Sequence, residues 1–591
     1  MHPAGSLSPS QAVRRVRWCF VLVALVMSVF WVRLFYLQVI RHDYYRKAAL
    51  SDQLKEYQIP AMRGIIEAHS GDQLVPIVLN QKLYTLFADP QLVRDPDRVA
   101  DSLTATLGGK SDDYLAKLKT PKTRYVILAK QLPPAQKDSI IKHKYAGIGA
   151  QELSYRTYPN GSLAAQLLGF VNADGKGVNG IEQSLNKQLA GTPGELKAVT
   201  DINGVPLAAN TENVQTAATP GDTVVLTIDM AMQQQLENIL QQGLKDSRSD
   251  SGSALIMDPN TGAIKAMANF PTYDPTHYGD VSDPSVFNNA AVSSPLEVGS
   301  IMKPLTAAAA LNEGAVKADS SYNDPAVWNI DGYKITNIEE DGPAGRRNLG
   351  DILNLSLNTG ATWLLMQMSK PGGTDITNKG RGVWYDYMAN HYRFGKTTGI
   401  EQGYEEPGYI PDPNKGFGLD LTYANTTFGQ GMTATPLQMA AAFSAVINGG
   451  TYYQPRLVDQ TLSSSGKTTV KKPVVLQSGV VKPEVSQQIQ SLLVYVISNH
   501  YLTPPFNQTA YTVGGKTGTA QIAKQGGGYM DHDFNGTYIG FVGGDQPAYV
   551  IAVRVNDPKL GKYAGSGAAQ PIFGKLGHML IDNFGVAPKS Q

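Results

Sequence analysis

Three short motifs contain residue types that could carry out acyl transfer. In chain order they are Ser300-Ile301-Met302-Lys303, Ser356-Leu357-Asn358 and Lys516-Thr517-Gly518-Thr519. A serine hydroxyl becomes a nucleophile when a neighbouring base takes its proton, and a neutral lysine can be that base. The three motifs together predict a serine acyl-transfer site that works without histidine.

The first two motifs supply the nucleophile and its proton carriers. Ser300 and Lys303 are one helical turn apart, so their side chains share a face. Burial among apolar residues, or a second cation such as Lys516, would lower the pKa of Lys303 and make it a base. Ser356 would carry a proton between the lysines and the leaving amine, and the amide of Asn358 would donate to substrate.

The third motif has the composition of a strand that binds an anion. Lys516 would attract a substrate carboxylate, together with the hydroxyls of Thr517 and Thr519, which makes residues 517–519 the predicted substrate-binding segment. The backbone N–H groups of Ser300 and Thr519 would form the oxyanion hole.

Glycines line this predicted strand. Gly514, Gly515 and Gly518 lack side chains, so we expect one face of the strand to stay open and its backbone to approach substrate closely.

The same letters occur elsewhere in the chain, and context separates them. Ser300 follows Gly299 and precedes a small-residue helical segment at 304–311, whereas the other matches lie among charges, amides or turn residues. The competing strings are Ser139…Lys142, Ser184…Lys187, Ser464…Lys467, Ser184-Leu185-Asn186 and Ser321-Tyr322-Asn323. Ser300 is therefore the predicted nucleophile.

Composition excludes several classes of protein. The 591 residues carry a net charge of +1, and the sequence has no basic stripe interleaved with aromatic residues, so no nucleic-acid partner is expected. Cys19 is the single cysteine, which excludes intramolecular disulfides and cysteine-based zinc sites. Because no histidines and carboxylates cluster at metal-ligand spacing, we predict neither a metal nor a cofactor.

An apolar segment near the N-terminus predicts a membrane anchor. Trp18–Ile40 is long enough to cross a bilayer core of about 30 Å. Arg14, Arg15 and Arg17 precede it, so residues 1–17 are predicted to be cytoplasmic and the rest to lie outside. A cleaved signal peptide and a buried core helix are the alternatives.

The later part of the chain predicts an α+β fold. Ser253–Ala268 has the pattern of a hairpin, and a capping box at Thr435 and Gln438 begins a helix that ends at Asn448. Three further strands are predicted at 512–520, 535–543 and 548–555. Strands around a helical middle indicate an antiparallel sheet flanked by helices.

A stretch rich in Ala, Thr, Asn and Pro at 206–221 has the composition of a linker. With it, the predicted domains are a tail at 1–17, an anchor at 18–40, an N-terminal domain at 41–220 and a catalytic domain at 221–591.

With these motifs in place, the chain resembles the class B penicillin-binding proteins, which are membrane-anchored D,D-transpeptidases of peptidoglycan synthesis. Beyond the three motifs, the resemblance rests on segments distributed over nearly the whole chain. These are Arg33–Gln38, Arg63–Ile66, Arg156–Pro159, Gly177–Glu182, Phe428–Gly431, Thr435–Gln438 and Asn448–Gly450.

The resemblance implies a mostly β/α pedestal, or dimerisation-like, domain and a penicillin-binding transpeptidase domain. It implies that Ser300 is acylated by a pentapeptide stem or a β-lactam, with Lys303 as base. Its implied partners are donor and acceptor stems, the lipid bilayer, a multi-spanning glycan polymerase and other division or elongation proteins. The second motif has an asparagine, Asn358, rather than an aspartate, and within the family this choice favours the division-type branch.

Three positions depart from the family pattern. The family commonly has Tyr-x-Pro-Gly before the nucleophile, where this chain has Leu296–Gly299. Ile301 replaces the usual threonine, and Glu67-Ala68 stands where the pedestal motif has an aspartate. None of these changes removes a group with a predicted chemical role.

Other functions use the same groups. A D,D-carboxypeptidase shares the acylation step and differs in using water as acceptor. A β-lactamase or penicillin-sensing receptor has the same three motifs, but the candidates for a deacylating glutamate, Glu401, Glu405 and Glu406, lack the expected context. A degenerate scaffold without activity is the non-enzymatic alternative.

Overall fold

The computed structural model describes residues 9–46, 54–199, 214–337, 343–500, 502–524, 528–560 and 563–590. The chain forms two compact units. One contains residues 1–61 and 192–219, and the other contains residues 62–191 and 220–591. The first half of the predicted linker, residues 206–213, and the first part of the predicted tail, residues 1–8, lie outside the described residues.

The first unit contains a long N-terminal helix. Pro9–Phe35 is α-helical and continues as a π-helical turn, Tyr36–Ile40. The run Val13–Ile40 is long and apolar enough to cross a membrane, in agreement with the predicted anchor. The unit also holds an antiparallel sheet of Leu54–Ile59, Gly194–Val199 and Val214–Thr216.

The second unit contains the three motifs. Its helices are Pro96–Leu107, Ser111–Leu118, Pro134–Ile141, Ala165–Leu168, Gly180–Ser184, Asn186–Ala190, Met230–Asp246, Ala290–Ser293, Lys303–Asn312, Leu349–Asn354, Asn358–Ser369, Asn378–Asp386, Leu419–Thr426, Pro436–Ile447, Pro483–Asn499 and Gln570–Asn583. Its short 3₁₀ and π turns are Pro275–Asp280, Pro284–Phe287, Gly299–Met302, Tyr387–His391 and Ala564–Ala569.

Among the described residues of this unit, five strands form an antiparallel sheet, which we call the central sheet. They are β1 (Ser251–Met257), β2 (Ile264–Phe270), β3 (Thr512–Ala523), β4 (Tyr529–Gly543) and β5 (Pro547–Asn556). The spatial order is β2-β1-β5-β4-β3, which puts β3 at the edge. The predicted hairpin and all three predicted C-terminal strands are confirmed.

Helices cover both faces of the central sheet. Successive side chains of a strand point to opposite faces, and on β1 Leu255 joins one hydrophobic core while Ile256 joins another. The first core contains the helices Lys303–Asn312 and Pro436–Ile447, and the second contains Gln570–Asn583. The predicted α+β fold, with an antiparallel sheet flanked by helices, is confirmed.

The helix Pro436–Ile447 begins as the sequence predicts. Thr435 Oγ1 accepts from the N–H of Gln438 at 3.2 Å, and Gln438 Oε1 accepts from the N–H of Thr435 at 2.8 Å. This reciprocal capping box fixes the start of a helix that is buried along its whole length.

A second, larger sheet joins distant parts of the sequence. Thr223–Asp229 pairs in parallel with Ile66–Ser70 and antiparallel with Val458–Leu462. Residues on both sides of the predicted boundary at residue 220 therefore share one sheet. Its other strands, and those of the small sheets, are Gln73–Ala88, Val126–Leu132, Ile148–Thr157, Phe170–Val171, Gly177–Val178, Ser321–Asp324, Val327–Ile330, Tyr333–Thr336, Gly345–Asn348, Thr451–Tyr453, Thr468–Val470 and Val475–Ser478.

Candidate active site

Ser300 lies in the 3₁₀ turn Gly299–Met302, immediately before the helix Lys303–Asn312. Gly299 has a φ of +65°, a left-handed conformation that favours glycine. Its N–H donates to the carbonyl of Gly429 at 3.1 Å, which anchors the turn. Ser300 itself is half-buried, at the point where the chain turns into a buried small-residue helix.

Lys303 is completely buried. Its Nζ donates to the carbonyl oxygen of Ser356, to Ser356 Oγ at 3.2 Å and to Asn358 Oδ1 at 2.9 Å. The centre of the Phe428 ring lies 6.0 Å from the same nitrogen. All of these neighbours are uncharged, so they orient the amine without neutralising a positive charge.

Burial lowers the pKa of Lys303 well below its usual value, and the nearby charge of Lys516 lowers it further. A lysine in this environment is a base because its neutral form is favoured. Among the described residues, no hydrogen bond joins Lys303 to the Ser300 hydroxyl. Contacts of this kind often form only when substrate is bound.

The second motif connects two helices. Leu349–Asn354 ends just before Ser356, and Asn358 begins the helix Asn358–Ser369. Ser356 has a φ of +55°, which is uncommon for a residue with a side chain and is concentrated at functional sites. The Nδ2 of Asn358 donates to the carbonyl of Thr336 at 3.0 Å.

The third motif lies on the edge strand β3. Lys516 is buried, with 1 % of its surface exposed, and its Nζ donates to the carbonyl of Thr517 at 3.1 Å and to its hydroxyl at 3.2 Å. Thr519 Oγ1 accepts from the N–H of Gly565 at 3.1 Å. The motif therefore presents a buried cation and ordered hydroxyls from one strand.

Glycines bring the nucleophile turn and β3 together. A Cβ added to Gly518 would lie 2.9 Å from the carbonyl oxygen of Val298, and one added to Gly299 would lie 2.9 Å from that of Thr519. A Cβ on Gly429 would lie 2.2 Å from the oxygen of Gly299. Backbone packs directly on backbone here.

The expectation that the glycines of β3 leave a face open for substrate is wrong at all three positions, since even a Cβ on Gly518 would lie 2.2 Å from Thr537 Oγ1. A Cβ on Gly514 would meet the ring of Phe541, and one on Gly515 would meet the ring of Tyr538. Both glycines make room for side chains of β4. The spacing of residues in a strand predicts which face of the sheet each residue points to, but it does not predict which group packs on that face.

Glu297, three residues before the nucleophile, has a role that the sequence reasoning missed. Its Oε1 accepts from the N–H of Gly431 at 2.8 Å and from the hydroxyl of Tyr529 at 2.9 Å. Its Oε2 is buried and has no hydrogen-bond partner among the described residues, and burial raises the pKa of the carboxyl. The available signal was the departure from the family pattern at residues 296–299.

The competing S-x-x-K strings lie in different surroundings. Ser464 is exposed in the turn between Val458–Leu462 and Thr468–Val470, and Ser184 Oγ donates to the carbonyl of Glu401 at 3.0 Å. Over the described ranges, no group of three His, Cys, Asp or Glu side chains is arranged to hold a metal ion.

Known families match both parts of the chain. A family model described as the penicillin binding protein transpeptidase domain matches residues 252–577, which is more than half of the chain. A second model, the penicillin-binding protein dimerisation domain, matches residues 58–226.

Curated relatives are similar over nearly the full length. Stage V sporulation protein D of Bacillus subtilis is 31% identical over 599 residues, covering 98% of this chain and 88% of its own. Peptidoglycan D,D-transpeptidase FtsI of Escherichia coli K12 is 28% identical over 591 residues, covering 97% and 93%.

A solved structure has the same fold. Penicillin-binding protein 3 of Mycobacterium tuberculosis, complexed with aztreonam, aligns with a TM-score of 0.66 and 25% identity, over 90% of this chain and 98% of that one.

Proposed function

Because the chain belongs to the penicillin-binding protein transpeptidase family, as a class B member, we propose that it is a monofunctional peptidoglycan D,D-transpeptidase acting through Ser300. The observation that carries this assignment is the burial of Lys303 beside Lys516, where the hydrogen-bond acceptors of Lys303 among the described residues are all uncharged. This environment favours the neutral amine that serine activation needs.

Acylation begins when neutral Lys303 takes the hydroxyl proton of Ser300. The serine oxygen attacks the carbonyl carbon of the penultimate D-Ala of a pentapeptide stem and forms a tetrahedral oxyanion. The N–H groups of Ser300 and Thr519 stabilise that oxyanion. The C–N bond then breaks, and the proton reaches the departing D-Ala amine through Ser356 Oγ, which accepts from Lys303 Nζ at 3.2 Å.

Lys516 and residues 517–519 bind the terminal carboxylate of the donor stem. A buried cation attracts a carboxylate strongly because little water screens it. The hydroxyls of Thr517 and Thr519 add hydrogen bonds, and the contact of Thr519 with Gly565 holds this end of β3 in place. Asn358 donates to the stem.

Transfer follows when an amine of a neighbouring stem attacks the acyl-enzyme. Its nitrogen forms the new amide bond as the ester C–O bond to Ser300 breaks, and the one proton that the neutral amine gives up passes through Lys303 to the Ser300 oxygen, which leaves as the alcohol. The same site acting on water would be a D,D-carboxypeptidase. A β-lactamase would be acylated by a drug and then hydrolyse the adduct, whereas a penicillin sensor would stop at the adduct. β-Lactams inhibit the enzyme by acylating Ser300.

The N-terminal helix anchors the enzyme in the cell membrane. Arg14, Arg15 and Arg17 precede the membrane-spanning stretch, so the tail is cytoplasmic and the catalytic domain is extracytoplasmic. The proposed domains are the tail 1–17, the anchor 18–40, the pedestal 41–220 and the transpeptidase domain 221–591. A multi-spanning glycan polymerase and other division or elongation proteins would contact the anchor and the pedestal.

Labelling with a fluorescent penicillin tests the nucleophile. Wild-type protein should form a covalent adduct that survives denaturation, and Ser300→Ala should form none. Ser464→Ala is the matched control, because Ser464 has the same S-x-x-K spacing in an exposed turn and should label normally. Equal labelling of wild type and Ser300→Ala, or no labelling of folded wild type, would contradict the assignment.

Release of D-Ala separates the alternatives. With a donor stem peptide, a transpeptidase releases D-Ala faster when an amine acceptor is added and yields the crosslinked product. Release that ignores the acceptor would identify a carboxypeptidase, and rapid turnover of the penicillin adduct would identify a β-lactamase. A scaffold would release no D-Ala.

A further inference from the structure

A buried carboxylate lies behind the second motif. Asp324, at the end of the strand Ser321–Asp324, is 2 % exposed. Its Oδ2 accepts from the hydroxyl of Thr359 at 2.6 Å and from that of Tyr322 at 2.9 Å, and its Oδ1 accepts from the N–H of Ala326 at 2.8 Å. Within the described part of the chain no cation pairs with it, so these three donors are what stabilise the buried charge.

Thr359 is the residue immediately after Asn358. Besides Asp324, its polar atoms bind two more residues of the same segment, 321–337. Its N–H donates to Asn337 Oδ1 at 3.0 Å, and its carbonyl accepts from the indole N–H of Trp328 at 3.1 Å. One short segment therefore binds the hydroxyl, the N–H and the carbonyl of Thr359, which fixes the start of the helix Asn358–Ser369.

The same segment determines which way the amide of Asn358 points. The carbonyl of Thr336 can only accept, so the nitrogen of the amide must face it, as the 3.0 Å contact shows. The amide oxygen then faces Lys303 Nζ, at 2.9 Å. Thr336 therefore orients the amide of Asn358 and Thr359 fixes its position, so that Asn358 Oδ1 accepts a hydrogen bond from Lys303, the proposed base.

We propose that Asp324 and Thr359 are positioning residues, which orient Asn358 toward Lys303 and thereby set the basicity of that lysine. The segment 321–337 also contains the string Ser321-Tyr322-Asn323, which only imitates the second motif. Its Tyr322 supports Asp324, and its ring stacks on Trp363 with centroids 4.5 Å apart. The string at 321–323 thus helps to hold the second motif in place, through Tyr322 and Asp324.

The proposal rests on the proposed function and makes a separate claim about how its base is held. Loss of the Thr359 hydroxyl leaves a buried carboxylate short of a donor, and the start of the helix Asn358–Ser369, which carries Asn358, must shift to restore one. A displacement of catalytic groups by about 1 Å can cost on the order of 100-fold in rate. The acceptor oxygen of Asn358 stabilises the ammonium form of Lys303 more than the neutral amine. Loss of this hydrogen bond therefore disfavours the ammonium and lowers the pKa of Lys303.

Thr359→Val tests this inference, since valine keeps the shape and removes the hydroxyl. The second-order rate of acylation by a fluorescent penicillin should fall about 10- to 100-fold. The acid limb of its pH profile should move to lower pH. Thr359→Ser, which restores the hydroxyl, should recover most of the rate and the wild-type limb. Asp324→Asn, if it folds, should resemble Thr359→Val.

Thr227→Val is the matched control. Thr227 is a buried threonine on the strand Thr223–Asp229 whose hydroxyl donates to the carbonyl of Ile264 at 2.6 Å, so its loss should lower Tm without changing the rate or the limb. The inference is overturned if Thr359→Val keeps the wild-type rate, or loses rate with an unmoved limb. Failure of wild type to label would instead contradict the proposed function itself.

Discussion

Two buried clusters in the second unit each hold two basic side chains and differ in what surrounds them. In the first, Glu182 is fully buried between Arg63 and Arg156, with Nε to carboxylate distances of 2.7 Å on both sides. In the second, Lys303 and Lys516 are buried among hydroxyls, carbonyls and an amide. The first cluster contains a carboxylate, whereas in the second no carboxylate from the described part of the chain contacts Lys303.

The difference separates a structural cluster from a reactive one. Arginine stays protonated in proteins, and its planar fork matches a carboxylate, so the Glu182 cluster has one stable charge state. A buried lysine without a counter-charge can lose its proton, and burial lowers the pKa of Lys303.

Replacing Lys303 with methionine should have the largest effect on this contrast. Methionine keeps much of the side-chain volume but cannot take a proton, so we expect acylation by a fluorescent penicillin to slow by about 1,000-fold or more. The charged form of a lysine with a lowered pKa destabilises the fold at pH values below the usual lysine range. Removing this charge offsets the stability that is lost with the hydrogen bonds of Lys303, so Tm should change little although the rate falls steeply. The offset should be larger at lower pH. A variant that acylates at the wild-type rate would contradict the role of Lys303.

Replacing Glu182 with glutamine should have the opposite profile. Two buried guanidinium groups would lose their counter-charge, which costs about 3–5 kcal/mol in the free energy of unfolding. Urea denaturation in detergent measures the loss, and the folded fraction should still acylate at the wild-type rate. Glu152→Gln, which breaks an exposed contact with Lys82, is the control and should leave the midpoint unchanged. An unchanged midpoint for Glu182→Gln would mean that the carboxylate is not needed to stabilise the arginines.

Removing the charge of Lys516 should slow acylation because the penicillin carboxylate is held less tightly, and the smaller effect that bears on this comparison is a shift of the pH profile. The charge of Lys516 helps to lower the pKa of Lys303, so Lys516→Met should raise that pKa. Less of the neutral amine is then present at a given pH, and the acid limb of the acylation profile moves to higher pH. Exposed Lys379, substituted in the same way, should leave the limb in place. A limb at the wild-type pH in Lys516→Met would show that the two lysines are not coupled.

Local patterns in the sequence predicted most of the central sheet and its helices. The hairpin of β1 and β2 and the capping box at Thr435 depend on neighbouring residues, which a sequence displays directly. The family model and the curated relatives confirm the resemblance to class B penicillin-binding proteins. The sequence alone indicated this family because the motif residues carry chemistry that other residue types do not supply.

Pairing between distant segments could not be predicted in the same way. The residues within and around Thr223–Asp229 do not predict that this strand pairs with Ile66–Ser70. For the same reason the contacts of Thr359 with Asp324 and Asn337 escaped prediction, since they join segments about 20 to 35 residues apart in sequence. Spacing within a motif identifies reactive groups, while the fold determines which neighbours hold them.

The backbone contacts at Gly299, Gly429 and Gly518 restrict the evolutionary routes by which this protein could escape a drug. At each of the three, the first carbon of any side chain would collide with a main-chain oxygen, which cannot move aside as a flexible side chain can. A mutation there would displace the nucleophile for drug and substrate alike. Variants selected by antibiotics should therefore accumulate at side chains around the cleft, and these three codons should remain unchanged.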